Sequence, residues 1–564
     1  MDKRAILHIP DSKYCYAVDD KTVEIVLRVS SEDRFDAVEI IYGNKYDYYE
    51  KQQSHPLTLK FCDGTFGYYC ARLTLNDVRL VYIFRLVCGE EVLYYCEDGV
   101  TNDYDFKFAY FNSFQLPFIN RADIMRRVDW LTNAVFYEIF VDRFCNSGRG
   151  NKAYVNLNWG EIPNAKSYAG GDLQGIISKL DYLKNLGINA LYLTPVFCSD
   201  SNHKYDIYDY YNIDPHFGTN EDFALLMSEC HKRGIRVVLD AVFNHCSEKL
   251  PQFLDVRQHG KESPYYDWFI IDGKTVDRRK PNYQHFGVCK YMPKFNTSCS
   301  DAQDFLIDIA THWIEKYDID GWRLDVSDEV SHDFWRRFRR KVKALKPDAV
   351  IIGENWHDAS VYLQGDQYDG IMNYAVTKAL MDYFANGSLS SKGLAERLSA
   401  LYMRNNSTAN AMMLNLLDSH DTDRFFTVVN KNLDKLLCAL ALLFCHTGSV
   451  CVYYGTEVPL EGGYDPDCRR TMDWEAKKAP TAVSELIRRL SPLKQLDAVK
   501  AGAIAYRSCD TLFVMERQTE GQTIRLTINN GDKAAYKARN VLLSHNYRDG
   551  AFFGTGFVIE EASR

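Results

Sequence analysis

The sequence predicts a multidomain protein with a central (β/α)8 barrel, a β-sandwich before it and a second β-sandwich after it. Residues 1 to about 120 contain short β-branched and aromatic runs, such as TVEIVLRV and LVYIFRLVCG, which Asp, Asn and Gly separate. From about residue 130, apolar strand-like runs alternate with segments of helical period. From about residue 498 the short strand-like runs return, for example TLFVME and TIRLTINN.

The central region contains eight apolar runs that we predict to be the barrel strands: AVFYEIF, NALYLTPV, RVVLDAVF, GWRLDV, AVIIGEN, DGIMNY, MMLNLLDSHD and SVCVYYGTE. Between them lie stretches such as DAQDFLIDIATHWIEKY and HDFWRRFRRKVKALK, which carry the i, i+3, i+4 pattern of amphipathic helices. Strands that alternate with helices eight times are typical of a (β/α)8 barrel. We therefore predict domains at 1–122, 123–497 and 498–564, with an inserted domain B at about 246–300 after the third strand.

Composition excludes several classes of protein. The net charge of −9 and the pI near 5.9 give no basic surface for nucleic acid. The run LLCALALLFCHTGSVCVYY is interrupted by polar residues, so we predict a buried helix and strand and no membrane association. The start MDKRAILHIP lacks the apolar core of a signal peptide, and none of the 16 cysteines has C-x-x-C spacing. We therefore expect a cytoplasmic protein with free thiols and no structural zinc.

The stretch GWRLD places two opposite charges on one side of a predicted strand. Side chains alternate along a strand, so Arg323 and Asp325 point the same way. One interpretation is a structural ion pair at the end of a strand. The other is a nucleophilic carboxylate that a fixed guanidinium keeps ionised. This motif alone leaves both open.

Ionisable groups follow several of the predicted barrel strands at their carboxyl ends, where barrel enzymes carry their catalytic groups. The third strand ends in DAVFNH, the fourth in GWRLD, the fifth in GENWH and the seventh in LLDSHD. Clustered charges in a barrel mouth are energetically costly unless they are used. The sequence therefore predicts an active site at this rim, formed by Asp240, Asn244, His245, Arg323, Asp325, Glu354, His420 and Asp421.

These four segments resemble the signature regions of the α-amylase family of glycoside hydrolases. MPKFN, GGDLQGI, TPVFCSDSNHKYD, GENWHDA and GGYDPDCRR resemble segments of its neopullulanase, cyclomaltodextrinase and maltogenic amylase branch. The N-terminal sandwich is also typical of that branch. The resemblance covers nearly the whole chain, more weakly in the last seventy residues or so.

The resemblance implies hydrolysis of glucosidic bonds with retention, by two carboxyl groups about 5 to 5.5 Å apart. Asp325 matches the nucleophile, which Arg323 is expected to keep ionised. Glu354 matches the general acid and base, and Asp421 matches the third catalytic carboxylate, which binds sugar hydroxyls. Asp240 is expected to orient Arg323.

The resemblance also implies a set of substrate-binding residues. His245 and His420 match hydroxyl-binding histidines, and Tyr205 matches an aromatic ring that stacks on the same sugar. The other matches are His203 beside that sugar, Trp356 and Glu329 on the acceptor side, and Asp465 and Arg469 on the non-reducing side.

The chain departs from the branch at several positions. Glu138 and Val141 stand where the branch has Gln and Pro, and Ser327 and Asp328 where it commonly has Ala and Asn. Some members bind calcium in the loop after the first strand, where Asn146, Asn151, Gly170 and Asp172 match. Gly148 and Lys152 stand where carboxylates are expected, and a hard dication needs six to eight mostly anionic oxygens. We therefore expect no metal and no required cofactor.

The resemblance favours an enzyme that hydrolyses α-1,4 and also α-1,6 bonds in cyclodextrins, maltooligosaccharides, pullulan or starch, with transglycosylation. One alternative is a catalytically inactive glucan-binding or assembly subunit, and another is a glycosyltransferase or isomerase on the same scaffold. The sequence does not decide which α-glucan is preferred. In the resembling branch the N-terminal domain packs on a second subunit, so we expect a homodimer through this domain, with an α-glucan as the only other partner.

Overall fold

Two antiparallel sheets form the N-terminal region of the computed structural model, which describes residues 1–150, 152–475 and 479–562. One sheet has the order β1-β2-β6-β5, and the other has the order β4-β3-β7-β8-β9 with β10 beside β7. Alternate residues of β2 are buried between the sheets, as period-two patterning predicts. The strands are β1 Cys15–Ala17, β2 Thr22–Ser30, β3 Ala37–Asn44, β4 Gln53–Pro56, β5 Thr58–Cys62, β6 Phe66–Thr74, β7 Leu80–Cys88, β8 Glu91–Cys96, β9 Gly99–Thr101 and β10 Phe114–Leu116.

Eight parallel strands form the central barrel, in agreement with the sequence. They are β11 Val135–Ile139, β12 Ala190–Leu193, β15 Arg236–Ala241, β16 Gly321–Leu324, β17 Val350–Gly353, β18 Gly370–Ile371, β19 Leu414–Leu416 and β20 Ser449–Tyr453. Each pairs with the next in barrel order, β20 pairs with β11, and a parallel bridge from Met372 to Leu414 closes the ring. Every barrel strand is buried on both faces, which explains its continuous apolar sequence. A hairpin of β13 Phe197–Ser199 and β14 Ile207–Ile213 follows β12.

Helices occupy the segments between the barrel strands. Polar side chains cap several of them: Asp172 accepts from the backbone N–H of Gly175, and Thr219 forms a capping box with Asp222. The helices are α1 Ala109–Asn112, α2 Val141–Phe144, α3 Leu173–Leu186, α4 Asn220–Lys232, α5 Pro251–His259, α6 Ser300–Tyr317, α7 His332–Leu345, α8 Tyr374–Phe384, α9 Ser391–Tyr402, α10 Ser407–Asn410, α11 Phe425–Val428, α12 Leu433–Cys445, α13 Ala482–Leu493 and α14 Asp497–Ala501. The predicted amphipathic helices are α6 and α7, and the predicted buried helix is α12.

The inserted segment after β15 contains little regular structure besides α5. Single bridges from Phe269 to Phe295 and from Ile271 to Tyr283 hold it together, and a bridge from His245 to Lys294 ties it to the barrel mouth. Short 3-10 turns occur here and elsewhere, at Phe106–Phe108, Leu131–Asn133, Gly260–Glu262, Tyr266–Trp268, Ser327–Glu329, Ser360–Tyr362 and Asp467–Arg469.

The C-terminal strands form one hydrogen-bonded sheet in the order β21-β22-β23-β26-β24, with β25 also paired to β26. Apolar side chains pack on two faces of this sheet, and a small cluster around Phe552 and Val558 is separate from the main core. The predicted C-terminal β domain is therefore present. Its strands are β21 Ala503–Cys509, β22 Leu512–Gln518, β23 Thr523–Asn529, β24 Lys533–Ala535, β25 Val541–Arg548 and β26 Ala551–Glu561.

The helices of the described ranges are all too short or too polar to cross a lipid bilayer. All sixteen cysteines lie within these ranges, and each has a free thiol.

Candidate active site

Arg323 lies at the centre of the barrel mouth and is buried. The register of β15 and β16 places its Cα opposite that of Asp240, and its Nη1 donates to both oxygens of that carboxylate at 3.0 Å. The same nitrogen donates to Asp325 Oδ1 at 2.9 Å, and Nη2 lies 2.9 Å from Glu354 Oε2. One guanidinium therefore contacts three carboxylates, from the ends of three neighbouring strands.

Asp325 follows β16 and is almost completely buried. Its Oδ2 has no hydrogen-bond partner among the described residues and lies 3.9 Å from His245 Nε2, which is also without a partner there. Burial raises the pKa of Asp325 well above its usual range; Glu354 adds to this effect, and Arg323 opposes it. The expectation that Arg323 keeps Asp325 ionised is therefore incomplete, because burial outweighs the cation. Asp325 and Glu354 thus face the same guanidinium, one on each of its two terminal nitrogens.

Glu354 follows β17 and is held by two hydrogen bonds in addition to its ion pair with Arg323. Its Oε2 accepts from the backbone N–H of Val326 at 2.9 Å, and its Oε1 accepts from Trp356 Nε1 at 3.0 Å. Val326 has φ +45°, an uncommon conformation for a β-branched residue. This strained residue directs its N–H at Glu354, so the backbone after β16 positions the carboxyl group beside Asp325.

His420 and Asp421 lie beyond the end of β19, on the opposite side of Arg323. Asp421 Oδ2 lies 3.1 Å from His420 Nε2 and 3.9 Å from Arg323 Nη2, and Arg469 Nη2 donates to its Oδ1 at 3.2 Å. Burial alone would raise the pKa of Asp421, but His420, Arg469 and Arg323 together lower it. Asp421 is thus an anion that three neighbouring cationic groups stabilise.

Glu138 on β11 contacts His420 from inside the barrel. Its side chain is completely buried, and its Oε1 accepts from both Nδ1 and the backbone N–H of His420, at 2.6 and 3.1 Å. Burial acts to lower the pKa of His420, but Asp421 and Glu138 overcome it and raise this pKa. The position of the ring between two carboxylates therefore favours the imidazolium form of His420.

Tyr205 and His203 form the wall of the mouth beside His420. The Tyr205 hydroxyl donates to Asp240 Oδ2 at 2.9 Å and lies 2.6 Å from His420 Nε2, and its ring is parallel to that of His420. The backbone N–H of Tyr205 donates to His203 Nδ1 at 3.1 Å. Burial lowers the pKa of His203 to about 4, so this ring is neutral and carries its proton on Nε2.

His245 forms the wall beside Asp325. Burial lowers its pKa to about 3, and its ring stacks on Phe286 with centroids 4.6 Å apart. A neutral imidazole next to the Asp325 oxygen can donate a hydrogen bond to a ligand but adds no positive charge.

The predicted outer residues lie around the rim. Arg469 Nη1 lies 2.9 Å from Asp465 Oδ1 and its Nε donates to the His420 carbonyl, so this pair reaches the main cluster through Asp421. Glu329 is half-exposed and contacts Lys294. Trp356 is 49% exposed and stacks flat on Tyr374 at 3.8 Å, so one face of the indole is free. The structure thus brings the predicted site residues together at one end of the barrel.

The sequence predicts no role for several residues of this site. Glu138, a departure from the branch, contacts His420 directly. Tyr192 donates to Asp240 at 2.7 Å, and Tyr374 supports Trp356. Glu138 and Tyr192 lie on barrel strands, and Tyr374 follows β18. Of the three, only Tyr374 could have been found by looking for functional side chains just after the carboxyl ends of the strands.

The loop after β11 holds the residues at which the resemblance suggests a calcium site. Lys152 Nζ donates to the Gly170 carbonyl at 2.9 Å and to Asp172 Oδ2 at 2.7 Å. Asn146 uses its side chain to contact the loop backbone, and Asn151 lies outside the described residues. An ammonium group thus binds two of the oxygens that a calcium ion would need, so the residues present do not fit that ion.

Comparison with known proteins shows where this site belongs. The family model "Alpha amylase, catalytic domain" matches residues 138–494, and "Alpha amylase, N-terminal ig-like domain" matches residues 1–120. A cyclomaltodextrinase of Thermoanaerobacter pseudethanolicus is 41% identical over 538 residues, which are 94% of this chain and 93% of that protein. An intracellular maltogenic amylase of Bacillus subtilis is 41% identical over 502 residues, 88% of this chain and 84% of its own.

Solved structures agree with these sequence matches. A cyclomaltodextrinase structure aligns with a TM-score of 0.92 and 34% identity, over 99% of this chain and 100% of its own. The cyclic α-maltosyl-(1→6)-maltose hydrolase from Arthrobacter globiformis, in complex with cyclic α-maltosyl-(1→6)-maltose, aligns with a TM-score of 0.71 and 35% identity, over 77% of this chain and 100% of its own. The chain with its barrel-mouth carboxylates therefore belongs to the α-amylase family of glycoside hydrolases.

Proposed function

We propose that this glycoside hydrolase cleaves α-glucosidic bonds of cyclodextrins, maltooligosaccharides and pullulan with retention, through Asp325 and Glu354. The observation that carries this proposal is the placement of both carboxyl groups on the two terminal nitrogens of Arg323. Retention needs a nucleophile and an acid that lie close together. Relatives named cyclomaltodextrinase, maltogenic amylase and neopullulanase support the class of substrate.

In the first step Asp325 attacks the anomeric carbon while Glu354 donates its proton to the leaving oxygen. The Asp325–carbon bond forms as the glycosidic bond breaks, which leaves a covalent glycosyl-enzyme. In the second step Glu354 takes a proton from water, and the water oxygen displaces Asp325. A sugar hydroxyl in place of water gives transglycosylation. The positive charge that develops on the sugar stabilises ionised Asp325, which offsets the effect of its burial.

The remaining cluster binds the sugar at the cleavage point. Asp421 is the most exposed of the three carboxylates, with 28% of its side chain accessible, so its oxygens can accept from sugar hydroxyls. The Tyr205 hydroxyl is already bound to Asp240 and His420, so the ring face is the part of this residue that contacts a sugar. His203 and His245 present neutral rings that donate from Nε2.

An inactive glucan-binding subunit is not favoured, because the nucleophile, the acid and the third carboxylate are all present with their partners in place. A transferase or isomerase would use the same cluster. The products formed from maltotriose would distinguish a transferase or an isomerase from a hydrolase.

We expect Asp325→Asn to lose several orders of magnitude in kcat while the protein stays folded, because the covalent route is removed. Proton NMR of the wild-type reaction should show the α-anomer as the first product. Asp434→Asn, on the surface beside His545, is the matched control and should keep wild-type activity. More than about a tenth of wild-type activity in Asp325→Asn, or a β-anomer as first product, would refute the proposed roles.

Rates on β-cyclodextrin, pullulan, starch and maltotriose would identify the preferred substrate. We propose that the cyclic and short substrates react fastest, because relatives named cyclomaltodextrinase and maltogenic amylase match this chain over most of its length.

The sixteen free thiols support a reducing compartment such as the cytoplasm.

We also propose that the chain forms a homodimer through its N-terminal domain. The side chains of Phe108, Tyr110 and Phe111, in and before α1, are 60, 70 and 80% exposed. Adjacent large aromatic side chains that stay exposed mark interaction surfaces. In a symmetric pair, each copy of this surface would contact the barrel of its partner.

A further inference from the structure

A cavity of about 820 Å³ lies where the N-terminal sheets, the barrel and the C-terminal domain meet. Its walls include residues of β2 and β6, residues between Tyr402 at the end of α9 and Ala411 before β19, and Gly502 to Ile504 around the start of β21. Ala411 and Thr447 precede β19 and β20, so the cavity opens at the amino ends of the barrel strands. It is therefore at the opposite end of the barrel from Asp325 and Glu354.

The charge of the cavity wall is strongly positive, although the whole chain carries a net charge of −9. Seven of the lining residues are Lys or Arg, and one is acidic. The acidic residue, Glu24, is already satisfied, because it accepts from Arg72, Tyr16 and Ser407. The remaining cations face the cavity without an acidic counterpart in its wall.

Arg517 is the most deeply buried of these cations, with 2% of its surface exposed. It donates to the carbonyls of Gly502 and Cys445, and no described carboxylate lies within ion-pair distance of it. Lys494 lies near it, completely buried, and donates to the His446 carbonyl at 2.6 Å. Burial lowers the pKa of Lys494 to about 7, and the charge of Arg517 contributes. Arg517 is thus a buried cation without an anionic partner in the described ranges, which is costly, and an anion in the cavity would offset this cost.

Three lysines line the more accessible part of the cavity. In the described ranges, Lys13, Lys60 and Lys500 form no ion pair. Lys13 lies 5.4 Å from the centroid of the Tyr14 ring, and the charge of Asp358, outside the cavity wall, acts on it. These lysines come from the N-terminal and the C-terminal domains. Together they suit a ligand group with several negative charges, because Arg and Lys bind such groups by charge-assisted hydrogen bonds.

The rest of the wall is apolar and aromatic. Phe61 and Tyr402 stack with their centroids 4.8 Å apart, and Met125 and Ile504 lie beside them in the lining. This wall can hold the uncharged body of a ligand while the cations bind its charged group. The volume of the cavity lies in the range usual for small-molecule sites.

We propose that this cavity binds a small phosphate-bearing molecule, either a sugar phosphate or a nucleotide. The phosphate group would lie between Arg517 and the lysines, and the sugar or base would lie against Phe61 and Tyr402. Such a ligand ties the N-terminal domain, the barrel and the C-terminal domain together, because each of them supplies part of the wall.

Calorimetric titration of the full-length protein at low ionic strength tests this proposal, with inorganic phosphate, glucose 1-phosphate, AMP and neutral glucose as separate probes. We expect phosphate compounds to bind and glucose not to bind, and the tightest probe identifies the source of the phosphate. Lys60→Glu with Lys500→Glu should weaken binding at least about tenfold, since two attractive charges become repulsive. Lys533→Glu, an exposed change on β24 outside the cavity, is the matched control and should bind normally.

Asp325→Asn should keep the wild-type affinity for the phosphate probe, which separates this cavity from the active site. The proposal is overturned if no phosphate compound binds at millimolar concentration. It is equally overturned if the Lys60→Glu, Lys500→Glu protein binds as tightly as the wild type, or if Asp325→Asn abolishes binding.

Discussion

Glu138 shows how one residue changes the electrostatics of the whole cluster. The branch that the sequence resembles has Gln here, and Gln could accept the same hydrogen bond from His420 Nδ1. A carboxylate adds a negative charge 2.6 Å from the ring. His420 donates Nδ1–H to Glu138. It can donate a hydrogen bond to Asp421 only if Nε2 carries a second proton. The two carboxylates therefore favour the imidazolium form.

We predict that Glu138→Gln lowers the pKa of His420, because the substitution removes an adjacent opposite charge. The other charged groups near the ring are Asp421, which raises the pKa, and Arg469, which lowers it. The pKa of His420 is higher in the folded protein than in the unfolded chain. The protonated ring therefore stabilises the folded protein fully below about pH 6.5, and this contribution is lost as the pH rises through the pKa of His420 in the folded protein. NMR titration of the His420 ring measures the shift, and kcat/KM at pH 7 to 8 should fall with it.

Glu457→Gln is the matched control for this change. Glu457 is also completely buried and follows a barrel strand, but it accepts from Tyr137 and does not contact His420. Its variant should leave the titration of His420 unchanged. An unaltered titration in Glu138→Gln would show that the carboxylate does not set the charge of the ring.

We predict that Glu354→Gln loses about 10²- to 10⁴-fold in kcat on maltotriose, the usual contribution of a general acid. Formation of the glycosyl-enzyme from an aryl maltoside with a strongly acidic phenol should be much less affected, because this leaving group needs no proton. Stopped-flow release of the phenol measures the first step directly. An equal loss on both substrates would contradict the role of Glu354 as proton donor.

The sequence could predict much of this cluster, because strand alternation alone places Arg323 and Asp325 on one face. The contact between Glu138 and His420 could not be predicted, since the two residues are 282 positions apart and meet only when the barrel closes. The raised pKa of Asp325 could not be predicted either. It depends on burial and on the number of carboxylates around one guanidinium, which strand patterns do not contain.

In the loop between β11 and α3, a lysine occupies the place of a metal ligand. Lys152 stands where a metal-binding member would have an acidic ligand, and its ammonium binds Gly170 and Asp172. A single positive charge with directional N–H groups can thus hold this loop. We propose that the loop needs no calcium ion.

We predict that EDTA changes neither the melting temperature nor kcat. Lys152→Met should instead destabilise the protein by about 1.5 to 3 kcal/mol, the usual contribution of hydrogen bonds to charged groups. Thermal unfolding measures the effect of EDTA and of Lys152→Met on stability, and an activity assay measures kcat. Lys166→Met, an exposed change in the same loop, is the control. A fall in melting temperature with EDTA that calcium restores would contradict this proposal.

Among the elements, the long periodic ones were predictable and the short ones were not. The eight barrel strands and the helices α6, α7 and α12 follow from continuous apolar runs and from helical periodicity. The hairpin of β13 and β14 was not predicted, because its strands come from TPVFCSDSNHKYD and the segment after it, which mix polar and aromatic residues. Strand β18 has only two residues, and its place in the barrel depends on its neighbours.

At the level of the whole molecule, the N-terminal domain packs on its own barrel. Phe61 stacks on Tyr402 of α9, and the Tyr16 hydroxyl accepts from the backbone N–H of Ser407 at 3.0 Å. Deletion of this domain would therefore expose an apolar surface of the barrel. Substitutions on its exposed aromatic surface are a cleaner test of dimerisation than truncation.

We predict that Tyr110→Asp with Phe111→Asp converts a dimer into a monomer, because two charges then occupy the centre of an apolar contact. Light scattering should give a mass near twice 65.1 kDa for the wild type and near 65.1 kDa for the variant. If the partner's domain narrows the active site, the monomer should also cleave starch better relative to β-cyclodextrin. Phe553→Asp, at an exposed aromatic position on β26, should remain dimeric and keep the wild-type preference. A wild-type protein that is monomeric at micromolar concentration, or a doubly substituted protein that remains dimeric, would show that this aromatic surface does not form the dimer.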